Sequence, residues 1–395
     1  SELTGGAGSK SATYNYWTPS LGGNAAGVVV SGSTSGSVSG LSVANLTGGA
    51  GGPHVVKGVY QRGQIGGWAA GVYLLEGSSG YSFEGAIADL QGGAHTVSAG
   101  GSQVVYGVYL EEDSLHHDLS GLTYNGHPIV TIVGQTGLVV SGLTLTAPQN
   151  PTNWGKLLIA DSSEITVSDS ELGFFTGARG RTAAFTIPEG LPGRGGEARG
   201  MSVLGCASCV FEGLHIHDLT PGQGGDSGDF EIGEGAGGTA MGIWLGSSPS
   251  QTTTQTLVTD TVIEGLGVGS RGETQGGSNT FPMANAQQGF GVWIEEDALD
   301  NQITDTVFVD GDPVLYRYGA SGEALSGHAI TSPVSNTTNQ GAVAILASSN
   351  ITLSNLTISD VTSLHGDTTY FPTEDAAPAQ VMALDTAGIR LDSCE

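Results

Sequence analysis

The chain has 395 residues, of which 67 are glycine, 38 are acidic and only 11 are lysine or arginine, so its net charge is −27. So few basic residues exclude a nucleic-acid-binding protein, because binding to phosphates requires a basic surface. Glycine without a three-residue period excludes collagen, and an apolar fraction of 38% is too high for a disordered chain. The glycine-rich, acidic and lysine-poor composition favours a secreted or cell-surface protein, and we expect no membrane-spanning helix.

Internal repeats begin at the N terminus. Leu3–Gly8 and Leu46–Gly51 both read Leu-Thr-Gly-Gly-Ala-Gly, 43 residues apart, and Gly22–Val28 matches Gly66–Val72 at a distance of 44. The second motif, a glycine before a short apolar run, recurs along the chain at Gly71–Leu74, Gly107–Leu110, Gly200–Leu204, Gly242–Leu245, Gly291–Ile294, Ala342–Leu346 and Gly388–Leu391. We interpret each recurrence as the first strand of a structural repeat.

A second β-rich segment follows the interior copies of this strand. Examples are Val139–Leu145, Leu257–Ile263, Ile303–Phe308 and Ile351–Ile358. Period-two alternation without hairpin dipeptides predicts two or three short strands per repeat, and parallel pairing between successive repeats. Stacked repeats would place an aliphatic ladder in the interior, formed by Val28, Val72, Val108, Ile243 and Val292.

The corners of the repeats also have a recurring residue. After the second strand, Asn or Asp precedes an apolar residue or glycine, and the members of this column are Asn45, Asp89, Asn125, Asp218, Asp310 and Asp360. Asn and Asp tolerate left-handed backbone geometry, so we predict positive φ at these positions. We expect the glycines to supply positive φ at the other corners.

Together these patterns resemble the right-handed parallel β-helix proteins of the pectate-lyase-like superfold. The Gly-Gly-x-Ala-x-Gly-[Ile/Val]-x-Leu turn is similar to that of large secreted repeat proteins and adhesins of bacteria. The resemblance implies an all-β chain, with one right-handed parallel β-helix of about nine coils over residues 1–395. It implies no single activity, because the superfold includes lyases, hydrolases, epimerases and structural stalks. A β-propeller or a leucine-rich solenoid is the alternative, but their sequence signatures are missing.

Five segments depart from the repeat and are predicted to be loop insertions. They lie near residues 173–199, 221–240, 269–290, 311–341 and 364–387. Insertions in a solenoid usually build one face, which is where a binding site would be expected.

An enzyme of this superfold would need a basic residue beside stacked carboxylates, or paired carboxylates across a groove. The candidates for this alternative, a polysaccharide lyase or hydrolase, are Lys156, Asp169, Glu171, Arg179 and Arg199. The four motifs of the polygalacturonase-like hydrolases do not occur in the chain. We therefore interpret Asp169 and Glu171 as outward-facing residues of an alternating strand and the two arginines as solvated loop charges, and we favour a protein without catalytic residues.

Acidic clusters indicate calcium as the candidate cofactor, because Ca²⁺ takes six to eight oxygen ligands. Two Glu-Glu-Asp runs occupy the same position in two repeats, and a third cluster lies in an acidic loop. The candidate ligands are Glu111, Glu112, Asp113, Asp226, Asp229, Glu231, Glu234, Glu295, Glu296 and Asp297.

Histidines and cysteines give weaker signals. His215 and His217, at positions i and i+2, would face one side of a strand, but a metal would need a third ligand. Since Thr357 and Ser359 hold these positions in another repeat, we interpret the two histidines as exposed. Cys206 and Cys209 either form a local disulfide or remain stacked thiols in the core.

The function favoured by the sequence is therefore a non-catalytic, extracellular structural or adhesive β-helix. Neither end resembles a solenoid cap, so we expect a segment of a larger surface, stalk or filament protein. Its expected partners are neighbouring coils or other copies of the chain, with carbohydrate as a further candidate.

Overall fold

The protein is described by a computed structural model, which defines residues 3–4, 23–50, 66–93, 105–111, 114, 116–147, 152–177, 195–224, 237–267, 269–270, 289–295, 298 and 301–303, and the strand backbones from 308 to 392 given below. These residues form an all-β structure without a helix. Within them, no helix has the length and apolar character needed to span a bilayer.

The strands are short and follow one another along the chain. The first nine are β1 (Leu3–Thr4), β2 (Ala25–Val30), β3 (Thr34–Ala44), β4 (Leu46–Thr47), β5 (Ala69–Leu74), β6 (Ser79–Ala88), β7 (Val105–Leu110), β8 (Asp118–Tyr124) and β9 (His127–Pro128). The next fourteen are β10 (Val130–Val133), β11 (Val139–Ser141), β12 (Thr144–Leu145), β13 (Leu157–Ser163), β14 (Thr166–Ser168), β15 (Glu171–Thr176), β16 (Ala198–Ala207), β17 (Val210–Glu212), β18 (His215–Thr220), β19 (Ala240–Gly246), β20 (Leu257–Thr259), β21 (Val262–Leu266), β22 (Gly289–Ile294) and β23 (Gln302–Ile303). The last nine are β24 (Phe308–Val309), β25 (Asp312–Pro313), β26 (Leu315–Tyr318), β27 (Ala324–Ser326), β28 (Ala329–Thr331), β29 (Val343–Leu346), β30 (Thr352–Ser354), β31 (Thr357–Ser359) and β32 (Ile389–Asp392).

Residues 23–128, here called the first region, form two main sheets. Strands β2, β5 and β7 pair in parallel, and β3, β6 and β8 do the same, with β9 added antiparallel at the edge. The long strands β3 and β6 change register between Val38 and Leu41, so each pairs as two shorter pieces.

Residues 130–303, the second region, form three parallel sheets. In each of them a strand pairs with the strand three elements later. The strand orders are β10-β13-β16-β19-β22, β11-β14-β17-β20-β23 and β12-β15-β18-β21. The second sheet continues through β26, β29 and β32, and the third through β24 and β25; the pairs β23–β26 and β24–β25 are antiparallel.

The aliphatic ladder expected from the repeats is confirmed within each region. Val28 pairs in register with Val72 and Val72 with Val108, while Met201 pairs with Ile243 and Ile243 with Val292. Val72, Val108 and Ile243 are fully buried. One core cluster in the second region contains residues of all three sheets, including Ile159, Phe211 and Ile216. Burying each such side chain contributes about 1.5–3 kcal/mol.

The predicted left-handed corners are also confirmed where they are described. Asn45, Asp89, Asn125 and Asp218 have φ values of 55°, 52°, 49° and 52°. Asp310 and Asp360 lie outside the described residues.

The repeated glycine pairs allow two backbones to approach closely, which is a different role from the positive φ expected of the glycines. Gly49 donates to Gly23, Gly67 donates to Gly49, and Gly93 donates to Gly67, all through backbone N–H···O bonds of 2.7–2.8 Å. A Cβ on Gly67 would lie 2.1 Å from the carbonyl oxygen of Gly23. Gly222 and Gly238 continue the same kind of chain from Gly196 in the second region. These glycines are needed because two backbones approach too closely for a side chain.

The predicted insertions have mixed outcomes. Residues 178–194, 225–236 and 271–288 lie outside the described residues, as does the insertion 364–387. Segment 311–341 differs from a loop because it contains β25 to β28, and β26 joins the sheet between β23 and β29. Two of the four residues of Leu315–Tyr318 are tyrosine, which is enriched in strands.

Candidate metal centre

The strongest cluster of functional groups lies on the outer face of the third sheet. Leu172, Ile216 and Ile263 pair in register on β15, β18 and β21 and are fully buried. Because side chains alternate along a strand, the residues on either side of these three face outward. His215 and His217 are therefore neighbours on one face of β18, as the i, i+2 spacing predicts.

The third potential ligand comes from the neighbouring strand. Glu171 on β15 is the register partner of His215. One ligand atom each from Glu171, His215 and His217 lies within 4.8 Å of the others. The Nε2 atom of His217 is 3.1 Å from Oε1 of Glu171, and the two imidazole rings stack with centroids 4.6 Å apart.

Two further carboxylates contact the same rings. Nδ1 of His217 is 2.8 Å from Oδ2 of Asp218, and Nε2 of His215 is 2.8 Å from Oε1 of Glu264. The His217 side chain is 10% exposed, against 45% for His215 and 43% for Glu171. The prediction that both histidines are ordinary exposed residues is therefore wrong for His217, which lies under Phe174 and above Gly173.

The local backbone creates this arrangement. Gly173 lies opposite His217, and a Cβ at that position would be 2.5 Å from the imidazole ring. Phe174 has a φ of 55°, and its ring is nearly perpendicular to that of His217, with the ring centroids 5.1 Å apart. Asp218 has positive φ as well, which turns its carboxylate back to Nδ1.

Sequence reasoning identified the two histidines but not their partners. Glu171 was named only as a candidate for a catalytic carboxylate, and Glu264 was not singled out. The signal was available in the repeat, since aligning Leu172 with Ile216 and Ile263 places Glu171 beside His215 and Glu264 beside His217.

The remaining catalytic candidates lie in other environments. Lys156 is 2% exposed and its Nζ donates to the carbonyl of Ala147; burial lowers its pKa from 10.5 to about 8. The prediction that Arg199 is a solvated loop charge is wrong, because it lies on β16 and its side chain is only 13% exposed. It pairs with Glu197 and lies over the ring of Trp244 at 3.8 Å. Asp169 occupies a left-handed corner with a φ of 48°. Arg179 lies outside the described residues.

Two of the calcium candidates are described, and both accept hydrogen bonds from an aromatic side chain of the preceding repeat. Glu111 accepts from the Tyr73 hydroxyl at 2.6 Å, which lowers the pKa of the Glu111 carboxyl. Glu295 accepts from Nε1 of Trp244 at 3.1 Å. Both glutamates open the same turn, because their carbonyl oxygens accept from the N–H three residues later. The prediction that Glu111 and Glu295 occupy the same position in two repeats is therefore confirmed.

The other eight calcium candidates lie outside the described residues. They are Glu112, Asp113, Asp226, Asp229, Glu231, Glu234, Glu296 and Asp297.

A serine–aspartate–histidine group near the junction of the regions does not form a nucleophilic triad. The Asp161 carboxylate accepts from the hydroxyls of Ser248 and Ser250, and its Oδ2 is 3.2 Å from Nδ1 of His116. In a triad the histidine must lie between the serine and the acid so that it removes the hydroxyl proton. Here the aspartate is the central residue, so His116 has no route to either hydroxyl.

A groove of about 700 Å³ lies beside this group. It is lined by the apolar strand β10 and by Tyr81, His116 and His117. His117 is 1% exposed, and burial lowers its pKa to about 4, so the ring is neutral near pH 7. The groove therefore combines an apolar wall with one uncharged imidazole.

Cys206 and Cys209 form a disulfide, which settles the two alternatives in favour of the bridge. Both residues are fully buried and belong to the core of the second region. Cys394 lies outside the described residues.

Comparison with known proteins adds no relative to this description, since no protein-family model, curated protein or solved structure matches the chain.

Proposed function

We propose that this chain is a non-catalytic, extracellular structural or adhesive scaffold, folded as one right-handed parallel β-helix and forming a segment of a larger surface, stalk or filament protein. The observation that carries the proposal is the pairing of each strand with the strand three elements later, in all three sheets of the second region. One core receives side chains from all three sheets. This is the arrangement expected when each repeat makes one turn around a shared core, and parallel connections are right-handed in almost all proteins.

An oxidising extracellular location is supported by the disulfide between Cys206 and Cys209. Structural disulfides persist mainly in secreted proteins. The net charge of −27 keeps such a protein soluble where salt screens its self-repulsion. Calcium at the acidic turns, self-association and carbohydrate binding belong to the same proposal.

The lack of a catalytic role is supported by the environments of the candidate residues. Among the described residues, the buried Lys156, the Trp-bound Arg199 and the corner Asp169 each contact different groups. Proton abstraction from a sugar acid needs a base beside carboxylates in one groove, whereas Lys156 donates to a backbone carbonyl and Arg199 pairs with Glu197 over the ring of Trp244.

The proposal is tested by measuring the particle shape, the self-association and the polysaccharide cleavage of one protein preparation. Small-angle scattering should give an elongated rod, and sedimentation with electron microscopy should give end-to-end assemblies at raised concentration. Incubation with pectate, alginate and related polymers should yield no new reducing ends. Cleavage that is lost in Lys156→Ala or Glu171→Gln, with folding retained, would instead establish the polysaccharide lyase or hydrolase. A compact, monomeric particle at all concentrations would contradict the scaffold.

A further inference from the structure

Within the cluster of Glu171, His215 and His217, both ring nitrogens of His217 contact carboxylates. The two ring nitrogens of His217 face two carboxylate oxygens, at 2.8 Å and 3.1 Å. A carboxylate only accepts hydrogen bonds, and a neutral imidazole carries one N–H and one lone pair. A metal cation held between Nε2 of His217 and Glu171 would accept a lone pair from each of them, while Nδ1–H donates to Asp218.

The position of Asp218 indicates which ring nitrogen of His217 would bind a metal. Histidines that bind metals usually donate their second ring N–H to a carboxylate, which fixes the tautomer and the ring orientation. Asp218 is adjacent in sequence, and its backbone φ of 52° brings the carboxylate to Nδ1. Nε2 of His217, which is 3.1 Å from Glu171, is then the atom available to bind the metal.

The donor types select the class of metal. Two imidazoles and one carboxylate are typical ligands of Zn²⁺ and its first-row neighbours, whereas Ca²⁺ and Mg²⁺ prefer oxygen ligands alone. Three protein ligands leave a coordination position open for water or for a group on another molecule. Solvent reaches the cluster, since Glu171 and His215 are nearly half exposed.

The backbone holds the ligands in place before a metal binds. Leu172 and Ile216, which pair in register beside the ligands, are fully buried. Gly173 leaves room for the His217 ring, and Phe174 covers its edge. Metal binding therefore has few groups left to order.

We propose that Glu171, His215 and His217 bind one divalent transition-metal ion of the Zn²⁺ type on the outer face of the third sheet, with Asp218 and Glu264 as positioning residues. The ion joins β15 to β18. It also presents an open coordination position to solvent, where a carboxylate or imidazole of a partner molecule can bind. This site is independent of the scaffold role, because it requires only the local pairing of two strands.

The test uses untagged protein that has been treated with a chelator and dialysed. Zn²⁺ binding is measured by calorimetry, and Co²⁺ is used as a spectroscopic probe of imidazole ligation. We expect one Zn²⁺ equivalent that is absent in the His215→Ala/His217→Ala double variant and unaffected by a large excess of Ca²⁺. His127→Ala, which removes an exposed histidine elsewhere, is the matched control and should bind as the parent protein does.

Two conservative variants separate ligation from folding. Glu171→Gln keeps the side-chain shape but should weaken Zn²⁺ binding and change the Co²⁺ spectrum. Asp218→Asn keeps a residue that tolerates positive φ, and should weaken binding by about 10–100-fold. Gly173→Ala should displace the His217 ring and weaken binding in the same way. Circular dichroism and thermal melts establish that each variant is folded.

The proposal is overturned if the folded parent protein binds no Zn²⁺. It is equally overturned if the double variant binds as tightly as the parent, because the ion would then sit at other histidines. Neither result bears on the scaffold proposal, whose readouts are particle shape and assembly.

Discussion

The two regions both stack parallel strands around a buried core, but the second strand of each repeat is built differently in them. In the first region each repeat has one long second strand, such as Thr34–Ala44, which absorbs its bend through a register shift. In the second region the equivalent stretch is divided into two strands, such as Thr166–Ser168 and Glu171–Thr176, that join different sheets. The first solution gives two main sheets and the second gives three.

In the second region, the corner residues with positive φ coincide with the ends of the strands. Asp169, Gly213 and Asp260 hold equivalent places after the paired strands β14, β17 and β20, and all three have positive φ. A left-handed residue turns the chain sharply, so the strand ends there and a new sheet begins. In the first region Gly40 has a similar φ of 66°, but strand β3 continues past it with a change of register. A positive φ therefore does not by itself separate two sheets.

Core substitutions should have the largest effect and show whether the two regions unfold together. Ile243→Asp places a carboxylate among fully buried side chains of the second region and should lower the free energy of unfolding by about 3–5 kcal/mol. Val72→Asp should do the same in the first region. Urea titrations are followed by circular dichroism for the whole chain and by tryptophan fluorescence, to which Trp154 and Trp244 of the second region contribute.

A single transition in both variants would mean one cooperative unit, and two separated transitions would mean that each region unfolds alone. Ile243→Val is the control, because it only removes a methyl group and should cost about 1 kcal/mol. An unchanged midpoint in Ile243→Asp would contradict the ladder of aligned core residues.

This ladder was predictable from the sequence, and the metal cluster was only half predictable. The spacing of Val72, Val108 and Ile243 after their glycines contains the strand register, because stacked repeats must align equivalent apolar residues. The contact between Glu171 and His215 depends on which strands are neighbours and on the side-chain rotamers, which no local pattern specifies. The role of Gly67 was also missed, because a glycine pair looks alike in sequence whether it serves positive φ or close backbone approach.

The pH dependence of unfolding should report on Lys156, which is buried at the boundary between the two regions. It lines a small cavity with Tyr124 of the first core and Leu145 of the second. Burial lowers its pKa from 10.5 to about 8, so between these pH values the unfolded chain binds more protons than the folded chain. The free energy of unfolding should therefore rise by about 3 kcal/mol as the pH increases through this interval.

Lys156→Met should lack this increase, so the difference in unfolding free energy between the parent and the variant isolates it. Subtraction is needed because buried tyrosines act in the opposite sense at higher pH. Burial raises the pKa of Tyr124 to about 12, and stability that depends on its neutral form declines above about pH 10 in both proteins. Parallel pH profiles for the two proteins would contradict the burial of Lys156.

The glycine pairs should respond alike in both regions, although the strands around them differ. Gly67→Ala would place a Cβ 2.1 Å from the carbonyl of Gly23, and Gly238→Ala one 2.0 Å from that of Gly196. Because backbone atoms must move, each should cost about 2–3 kcal/mol. Gly32→Ala, at a φ of 56° with open space around it, is the control and should cost about 1 kcal/mol. Equal midpoints for Gly67→Ala and Gly32→Ala in urea titrations would show that close approach is not the role of the pair.

The smallest expected change in stability comes from replacing single residues at positive-φ corners, one in each region. Glu164 is exposed and has a φ of 55°, in a column whose other members include Gly137 and Ser208. A left-handed backbone costs an ordinary residue about 1–2 kcal/mol, and glycine avoids this cost but loses more chain entropy on folding. Glu164→Gly should therefore stabilise the protein by about 0.5–1 kcal/mol.

Asn45→Gly, at the same φ of 55° in the first region, should change stability by only a few tenths of a kcal/mol, because Asn already tolerates this geometry. The comparison is made from urea midpoints at equal m-values. If both substitutions gave the same shift, the identity of the residue at a positive-φ corner would not determine how much that corner costs in stability.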